Sequence, residues 1–469
     1  MKNIDRDLLD LDGKKLALYG FKGVTGKSVI NFLAARNKKL SLYDDSYKGE
    51  SIDNYIQSAA GADKLNILDD KEKLLDHEVI ITSPGVPTTQ EFFRRSEFED
   101  IEIISEIELA YNYFDRYIVA ITGTNGKTTT TSMAGRILKK GLTSREVETA
   151  GNIGRPLLEI MEKTPPDSVI LAEVSSFQLA GIKNFKPEIA VLLNFSPDHL
   201  DWHRTRSHYQ KSKAKIFSNQ DKTGLAIING DSEVLREMLP EDGPSVKMIS
   251  ETLSGASVRI DGGLHFQKEK KFDENFISED LIPLVGKHNL KNAAFAVLIA
   301  STLGVDISTL KKEIKDYTPP PHRLQKVKEY KNLDIIDDSK ATNPHAALSA
   351  LESLAGQYDN IYLIAGGQDR CSDLSDFTLK ISRLTEGAVL LGETSEEMKN
   401  LLLKKNFDDF KLAVDMPGAV KKALSMIELE VAGDNLLLLS PGAPSWDMYD
   451  SYKQRGKKFR REVEKNLTE

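Results

Sequence analysis

The chain has 469 residues, 40% of them apolar, enough for about two to four domains with ordinary cores. Its 63 Lys and Arg against 71 Asp and Glu leave a formal charge of −8, which argues against a general nucleic-acid binder. The one cysteine, Cys371, excludes an internal disulfide and fits a reducing cytosol; no role is expected of its thiol.

Met1–Asp12 is charged and has no apolar core of signal-peptide length, and no segment approaches the roughly 20 apolar residues of a membrane span. The longest apolar runs, such as Ile189–Leu193 and Leu436–Leu439, are strand-sized. The expectation is a cytoplasmic monomer without membrane insertion.

The first part of the chain alternates strand and helix signals. Leu16–Tyr19 reads as a strand, Gly20–Gly26 as a glycine turn and Ser28–Ala35 as a helix. Leu40–Tyr43 reads as a second strand with Asp44 and Asp45 at its end. Val79–Thr82 is a further strand ending at Ser83-Pro84-Gly85. This is the rhythm of a parallel sheet with crossover helices. A glycine turn followed by acids after the second strand resembles a nucleotide-binding Rossmann layout. The spacing is not G-x-G-x-x-G, so a dinucleotide is not implied.

A second α/β block runs from near Ser105 to about Thr318. In it the strand Tyr117–Ile121 feeds Thr122-Gly123-Thr124-Asn125-Gly126-Lys127-Thr128-Thr129-Thr130. Backbone N–H groups at a helix start can cradle phosphates, Lys127 adds a point charge, and Thr128 can reach a magnesium ion. A standard phosphate loop has glycine where this chain has Ile121, so the match is incomplete. Val169–Val174, Ile189–Asn194 and Leu225–Ile228 are further strands. Leu253–Phe272 reads as a small antiparallel patch, and Gly286–Ser301 as a helix.

Glu173 closes an apolar strand, at the sheet edge that faces ligands in open α/β folds. It could hold magnesium opposite the phosphate loop; a solvated strand-end acid is the plain alternative. His199, in Asn194–Asp201, could bind metal or contact a reacting acyl group, although lone histidines are usually structural. Lys211, Lys213 and Lys215, taken alone, read as a solvated helix face.

Thr318-Pro319-Pro320-Pro321 is the clearest boundary, a stiff extended link. His322 and Arg323 follow it, and an arginine at a hinge can swing onto a phosphate when domains close. A third α/β rhythm comes next. Its strands are Leu333–Ile336, Ile361–Ala365, Ala388–Leu391 and Asn435–Leu439, and its last helix is Met448–Val463. Asp337–Asn343 packs carboxylate, hydroxyl and amine groups at a strand end, which suits a nucleotide or an anionic substrate; a polar turn is the alternative. Ser440–Ser445 has small residues that permit close approach of a ligand.

In this order the pieces resemble the Mur ligase family, ATP-dependent amide-forming enzymes of peptidoglycan precursor synthesis, over nearly the whole chain. Gly123–Thr129 is shared with the wider superfamily, including folylpolyglutamate synthases, which lack the N-terminal Rossmann-like domain. Gly151-Asn152-Ile153-Gly154, Glu173–Leu179 and Asp338–Asn343 are more specific and point to the D-glutamate-adding branch. The resemblance implies three α/β domains: a Rossmann-like UDP-precursor domain over 1–105, a central P-loop-type ATPase domain with a mainly parallel sheet over 106–318, and a Rossmann-like amino-acid and ATP domain over 319–469.

It also implies a reaction. ATP phosphorylates the carboxylate of UDP-N-acetylmuramoyl-L-alanine, the amine of D-glutamate attacks the acyl phosphate, and ADP and phosphate leave. Gly123, Thr124, Asn125, Gly126, Lys127, Thr128 and Thr129 would hold the ATP phosphates. Thr128 and Glu173 would hold one Mg2+. His199 and Lys213, the latter carbamylated, would hold a second. Carbamylation needs a neutral amine, so Lys213 is expected to have a depressed pKa.

Asn289, Asn292, His322, Arg323 and Asp338 would complete the ATP site. Lys340, Thr342, Arg370, Ser445 and Tyr452 would bind D-glutamate. Asn152 and His199 would contact the alanyl–muramoyl part. Val24, Thr25 and Gly26 would meet the UDP diphosphate, Asp44 and Asp45 the uridine edge, and Ser83, Pro84 and Gly85 the adjoining sugar. Relatives have lysine or arginine at Arg370, often phenylalanine at Tyr452, and in some cases a basic residue at Ser46. Addition of another amino acid, a P-loop ATPase driving motion, and a nicotinamide dehydrogenase stand as rivals. The last would leave Gly123–Thr129 idle.

Overall fold

The computed structural model describes residues 11–47, 62–268, 271–284, 286–370, 373–427 and 433–467; Cys371 lies outside them. Among the described residues the strands form three sheets. The first contains β1 (Leu16–Tyr19), β2 (Leu40–Tyr43), β3 (Leu65–Ile67), β4 (Val79–Thr82) and β5 (Glu102–Ser105), in the order β3-β2-β1-β4-β5. Every pairing in it is parallel. β1 and β4 are buried along their whole length, as central parallel strands covered on both faces must be.

The second sheet contains β6 (Tyr117–Thr122), β7 (Val147–Gly151), β8 (Val169–Glu173), β9 (Ile189–Leu192), β10 (Leu225–Asn229), β11 (Ser245–Ser250), β12 (Val258–Ile260), β13 (Gly263–Lys268) and β14 (Lys271–Ser278). Its order is β14-β13-β12-β11-β10-β9-β6-β8-β7. It is parallel from β7 to β12 and antiparallel from β12 to β14, where the alternating, glycine-bearing patch lies. The order reverses at β6, which lies between β8 and β9, so the chain leaves its carboxyl edge in opposite directions there.

The third sheet contains β15 (Gln325–Tyr330), β16 (Leu333–Asp337), β17 (Asn360–Ala365), β18 (Gly387–Leu391), β19 (Phe410–Ala413) and β20 (Asn435–Leu439), in the order β15-β16-β20-β17-β18-β19. Only β15 runs antiparallel to its neighbour. Alternate strand residues enter two separate cores. Ile336, Leu363 and Leu438 pack on one face, and Ile335, Ile364 and Leu437 on the other.

The chain divides into two compact units. One is Met1–Ser278 with Asn292–Ile314; the other is Glu279–Lys291 with Lys315–Glu469. In the first, one apolar core draws on both of its sheets and on Ile107 and Leu109 of the helix Glu106–Tyr113, and a second gathers Ala17, Tyr19 and Ile80 of the first sheet with Leu74 and Phe98.

Two helix starts differ from expectation. The first helix is Val24–Ala34, so Val24, Thr25 and Gly26 form its opening turn rather than a loop before it. Glycine serves there because a Cβ at Gly26 would fall 2.4 Å from Phe21 O, and first-turn N–H groups need no helical partner. The last helix is Tyr452–Asn466, because the Ser451 side chain accepts from Gln454 N and sets the cap. Met448 and Tyr449 belong to the preceding turn, both N–H groups bonding Ser445 O.

Candidate active site

The strand ends of the second sheet converge. Ile121 of β6 pairs with Glu173 of β8, which pairs with Gly151 of β7, while Thr122 pairs with Leu192 of β9. The loop after β6 turns at Gly126, whose φ of 81° few other residues adopt, and the helix Lys127–Gly141 starts there. A Cβ on Gly126 would meet Asn292 Oδ1 at 2.2 Å. Asn194 clamps the loop from the β9 side: its Oδ1 accepts from Asn125 N at 2.9 Å and its Nδ2 donates to Asn125 O at 3.0 Å. Thr124 Oγ1 lies 3.1 Å from the hydroxyl of Tyr209 and donates to Ser196 O at 3.0 Å.

Lys127 folds back on this loop, its Nζ donating to Gly123 O at 2.8 Å and Thr124 O at 2.9 Å. Lys213 Nζ donates to the same Gly123 oxygen at 2.8 Å. Lys213 is 1% exposed, which corrects the reading of three solvated lysines. On a helix, residues two apart point to opposite sides. Lys211 is exposed, Lys213 enters the core, and Lys215 donates to Ala180 O. Burial, and then the charge of Lys127, press the Lys213 amine well below the usual lysine range, and Asp198 opposes them only in part.

Glu173 is buried. Its Oε1 accepts from Asn152 Nδ2 at 3.1 Å, and its Oε2 has no hydrogen-bond partner. An unpartnered buried carboxylate oxygen fits a cation, so Glu173 suits the magnesium expected of it. His199 stands in the left-handed conformation, φ 54°, at the cap of the helix Leu200–His203. Its ring lies edge-on to Phe177 at 4.9 Å, and its Nε2 is 3.7 Å from Asp198 Oδ2.

At the first sheet, Ser83 Oγ donates to Gly20 O at 2.6 Å and draws Ser83–Gly85 to the glycine turn. Asp44 accepts from Ser46 N and Oγ, a local turn. Asp45 is engaged by two tyrosines, Tyr19 at 2.5 Å and Tyr43 at 3.2 Å. Lys71 Nζ lies 3.9 Å from Asp45, 4.9 Å from the Tyr19 ring centre and 4.7 Å from that of Phe92. Burial pushes Tyr19 up, assisted by Asp45, and pushes Lys71 down.

The second unit has its own cluster at the ends of β16 and β20. Asp338 accepts from Ser440 Oγ at 2.9 Å and Leu324 N at 3.2 Å; burial still raises it to about 7. His322, at φ 67°, has its Nδ1 2.7 Å from Asp337 Oδ2, which also accepts from Arg460 Nε at 2.7 Å. Buried Arg455 donates to Ser339 Oγ and O and to the carbonyls of Ala443 and Pro444. It thereby joins the Asp338–Asn343 and Ser440–Ser445 segments. Burial lowers this guanidinium to about 10.

Lys340 Nζ sits 4.0 Å above the Tyr452 ring, and Arg370 lies 4.6 Å from the Trp446 ring. Thr342 follows in the same loop, and Ser445 is buried. Asn289, in the second unit, and Asn292, in the first, both stand on the helix Lys287–Thr302. Sequence reading missed Tyr19, Lys71, Asn194, Tyr209, Arg455 and Arg460. Only Asn194 had a visible signal, a polar side chain immediately after an apolar strand.

Three family models match in succession: the MurD-like N-terminal domain of Mur ligases over residues 14–105, the Mur ligase middle domain over 121–300, and the Mur ligase glutamate ligase domain over 322–442. The UDP-N-acetylmuramoylalanine–D-glutamate ligase of Alkaliphilus oremlandii is 36% identical over 98% of this chain and 100% of its own. That of Caldicellulosiruptor saccharolyticus is 35% identical over 97% and 99%. The chain belongs to the Mur ligase family. Its fold is also that of the MurF ligase from Thermotoga maritima solved with ADP, at a TM-score of 0.60 and 18% identity over 92% of this chain and 96% of that one. In this Mur ligase, no helix among the described residues is long and apolar enough to cross a membrane.

Proposed function

We propose that this Mur ligase joins D-glutamate to UDP-N-acetylmuramoyl-L-alanine, using ATP and an acyl-phosphate intermediate, in peptidoglycan precursor synthesis. Similarity along the whole chain to D-glutamate ligases supports the substrates. The observation that carries the chemistry is the meeting of the Lys127 and Lys213 amines at Gly123 O, on the sheet edge where Glu173 keeps an unpartnered oxygen.

Backbone N–H groups at the start of the helix Lys127–Gly141 bind the ATP phosphates. Lys127 exchanges its loop carbonyls for the β/γ-phosphates. Asn194 fixes the loop before any ligand arrives, so little reorganisation is needed at the transfer step. Magnesium, when bound, neutralises the phosphate oxygens; Thr128 and Glu173 would hold one ion, and His199 with Lys213 a second. The Lys213 amine is set up for reaction with CO2: an N–C bond forms, the amine proton leaves, and a carboxylate replaces the cation. Asn152 and His199 orient the alanyl carboxylate. Val24–Gly26, Asp44, Asp45 and Ser83–Gly85 take the UDP portion.

In the second unit Asn289, His322, Arg323 and Asp338 serve ATP. Lys340, Thr342, Arg370, Ser445 and Tyr452 serve D-glutamate, whose carboxylates need paired cationic and hydroxyl donors. We place the domain boundaries at 105/106 and 318/319. Incubation with ATP, Mg2+, UDP-N-acetylmuramoyl-L-alanine and D-glutamate should give a product heavier than the precursor by one glutamyl residue, with ADP and phosphate. ATP hydrolysis indifferent to the precursor, or ligation of another amino acid in place of D-glutamate, would overturn the assignment.

A further inference from the structure

One buried imidazole outside the groups assigned above touches the segments that carry them. His203 ends the short helix Leu200–His203, which His199 caps. Its Nε2 lies 2.8 Å from the hydroxyl of Ser176, the first residue of the helix Ser176–Ala180 that follows Glu173. Its Nδ1 lies 2.9 Å from Nδ1 of His208, on the helix Arg206–Ala214 that carries Lys213. The ring stacks on Phe177 at 5.5 Å and packs against Trp202 at 4.5 Å and Tyr209 at 5.0 Å. His203 is 1% exposed.

We infer that His203 is a positioning residue that holds the segments of Glu173, His199 and Lys213 in mutual register for the acyl-phosphate step. This rests on the assignment of those three residues to the reacting site. Helices as short as Leu200–His203 and Ser176–Ala180 have no stability of their own and take their place from tertiary ties. A plain aromatic ring would fill the same space. Only an imidazole presents two in-plane nitrogens that reach Ser176 and His208 together. One of the two facing Nδ1 atoms donates and the other accepts, and the Ser176 hydroxyl adapts its proton to suit. Both ring nitrogens are thus engaged by protein groups, so His203 acts through its neighbours.

His203→Phe keeps the stacked ring and deletes both ties. It should lower kcat about 10- to 100-fold, the usual cost of losing an outer-shell partner, while KM for the UDP precursor and for D-glutamate moves less than about twofold. Mn2+ titrated by electron paramagnetic resonance, with an unhydrolysable ATP analogue present, should bind more weakly by a comparable factor. Ser176→Ala and His208→Phe each cut one tie and should show the same split at smaller amplitude; they decide the matter if His203→Phe does not fold. Parental kcat and Mn2+ affinity in these variants, or a loss confined to KM, would overturn the role of His203. A parent enzyme that makes no glutamyl product would instead overturn the proposed function, so the two failures are distinguishable.

Discussion

Two lysine amines donate to one carbonyl oxygen at Gly123, and one of them is fully enclosed. Two ammonium groups so placed repel each other in a medium that screens poorly. The enclosed one gives up its charge more readily, which favours Lys213 over Lys127 for the reaction with CO2 proposed above. Lys213→Ala should therefore cut ligation at least about 100-fold, since on the proposed reading it removes a metal-holding group of the reacting site. Added bicarbonate should raise the rate of CO2-depleted parent enzyme and leave the variant unmoved. A fully active Lys213→Ala protein would end the carbamate proposal. Glu173→Gln probes a different group. The amide oxygen can still accept from Asn152, so the fold should hold, but the charge on the unpartnered side is gone. The Mg2+ concentration for half-maximal phosphate release should rise about 10- to 100-fold. An unchanged requirement would remove Glu173 from the metal site.

Elements are placed by a few such side chains. Gly126 combines φ 81° with a neighbour only 2.2 Å from where a Cβ would stand. Alanine there costs about 1–2 kcal/mol for the left-handed backbone, before the collision with Asn292 is counted. Gly126→Ala should lower the melting temperature and raise KM for ATP. Adding Asn292→Ala should recover only the collision part; full recovery would show that the backbone was never the constraint. A second element depends on pH. Glu106 Oε1 accepts from Leu158 N at 2.6 Å, at the start of the helix Leu157–Lys163, yet burial raises the acid from 4.5 to about 7. An acid raised on folding holds its proton more tightly in the native state. That stability is complete below pH 4.5 and is lost as pH climbs through about 7. Glu106→Gln cannot ionise and keeps the acceptor oxygen. Between pH 5 and 8 the urea midpoints should move in favour of the variant by an amount equivalent to about 2.5 kcal/mol. Parallel pH profiles for the two proteins would refute this.

Across the whole chain, what could be read in advance was what lies close in sequence. Buried apolar runs such as Val79–Thr82 and Asn435–Leu439 declared their strands, and the glycines of the phosphate loop declared a turn that needs positive φ. What escaped depends on partners brought together only by folding. Asn194 meets Asn125, Arg455 meets Ser339 and Ala443, and Lys213 meets Gly123, none of them a local pattern. The signature of the proposed reaction is an atom that changes molecules. If the precursor carboxylate attacks the γ-phosphorus of ATP, one of its oxygens becomes the bridge of the acyl phosphate. When the glutamate amine attacks the carbonyl carbon, the C–O bond breaks and that oxygen departs with phosphate. Precursor labelled with oxygen-18 in both carboxylate positions should thus deliver one labelled oxygen to each phosphate released and keep the other in the new amide. Phosphate free of label, with ATP consumed, would mean that water had attacked ATP directly, and the acyl-phosphate route would fall.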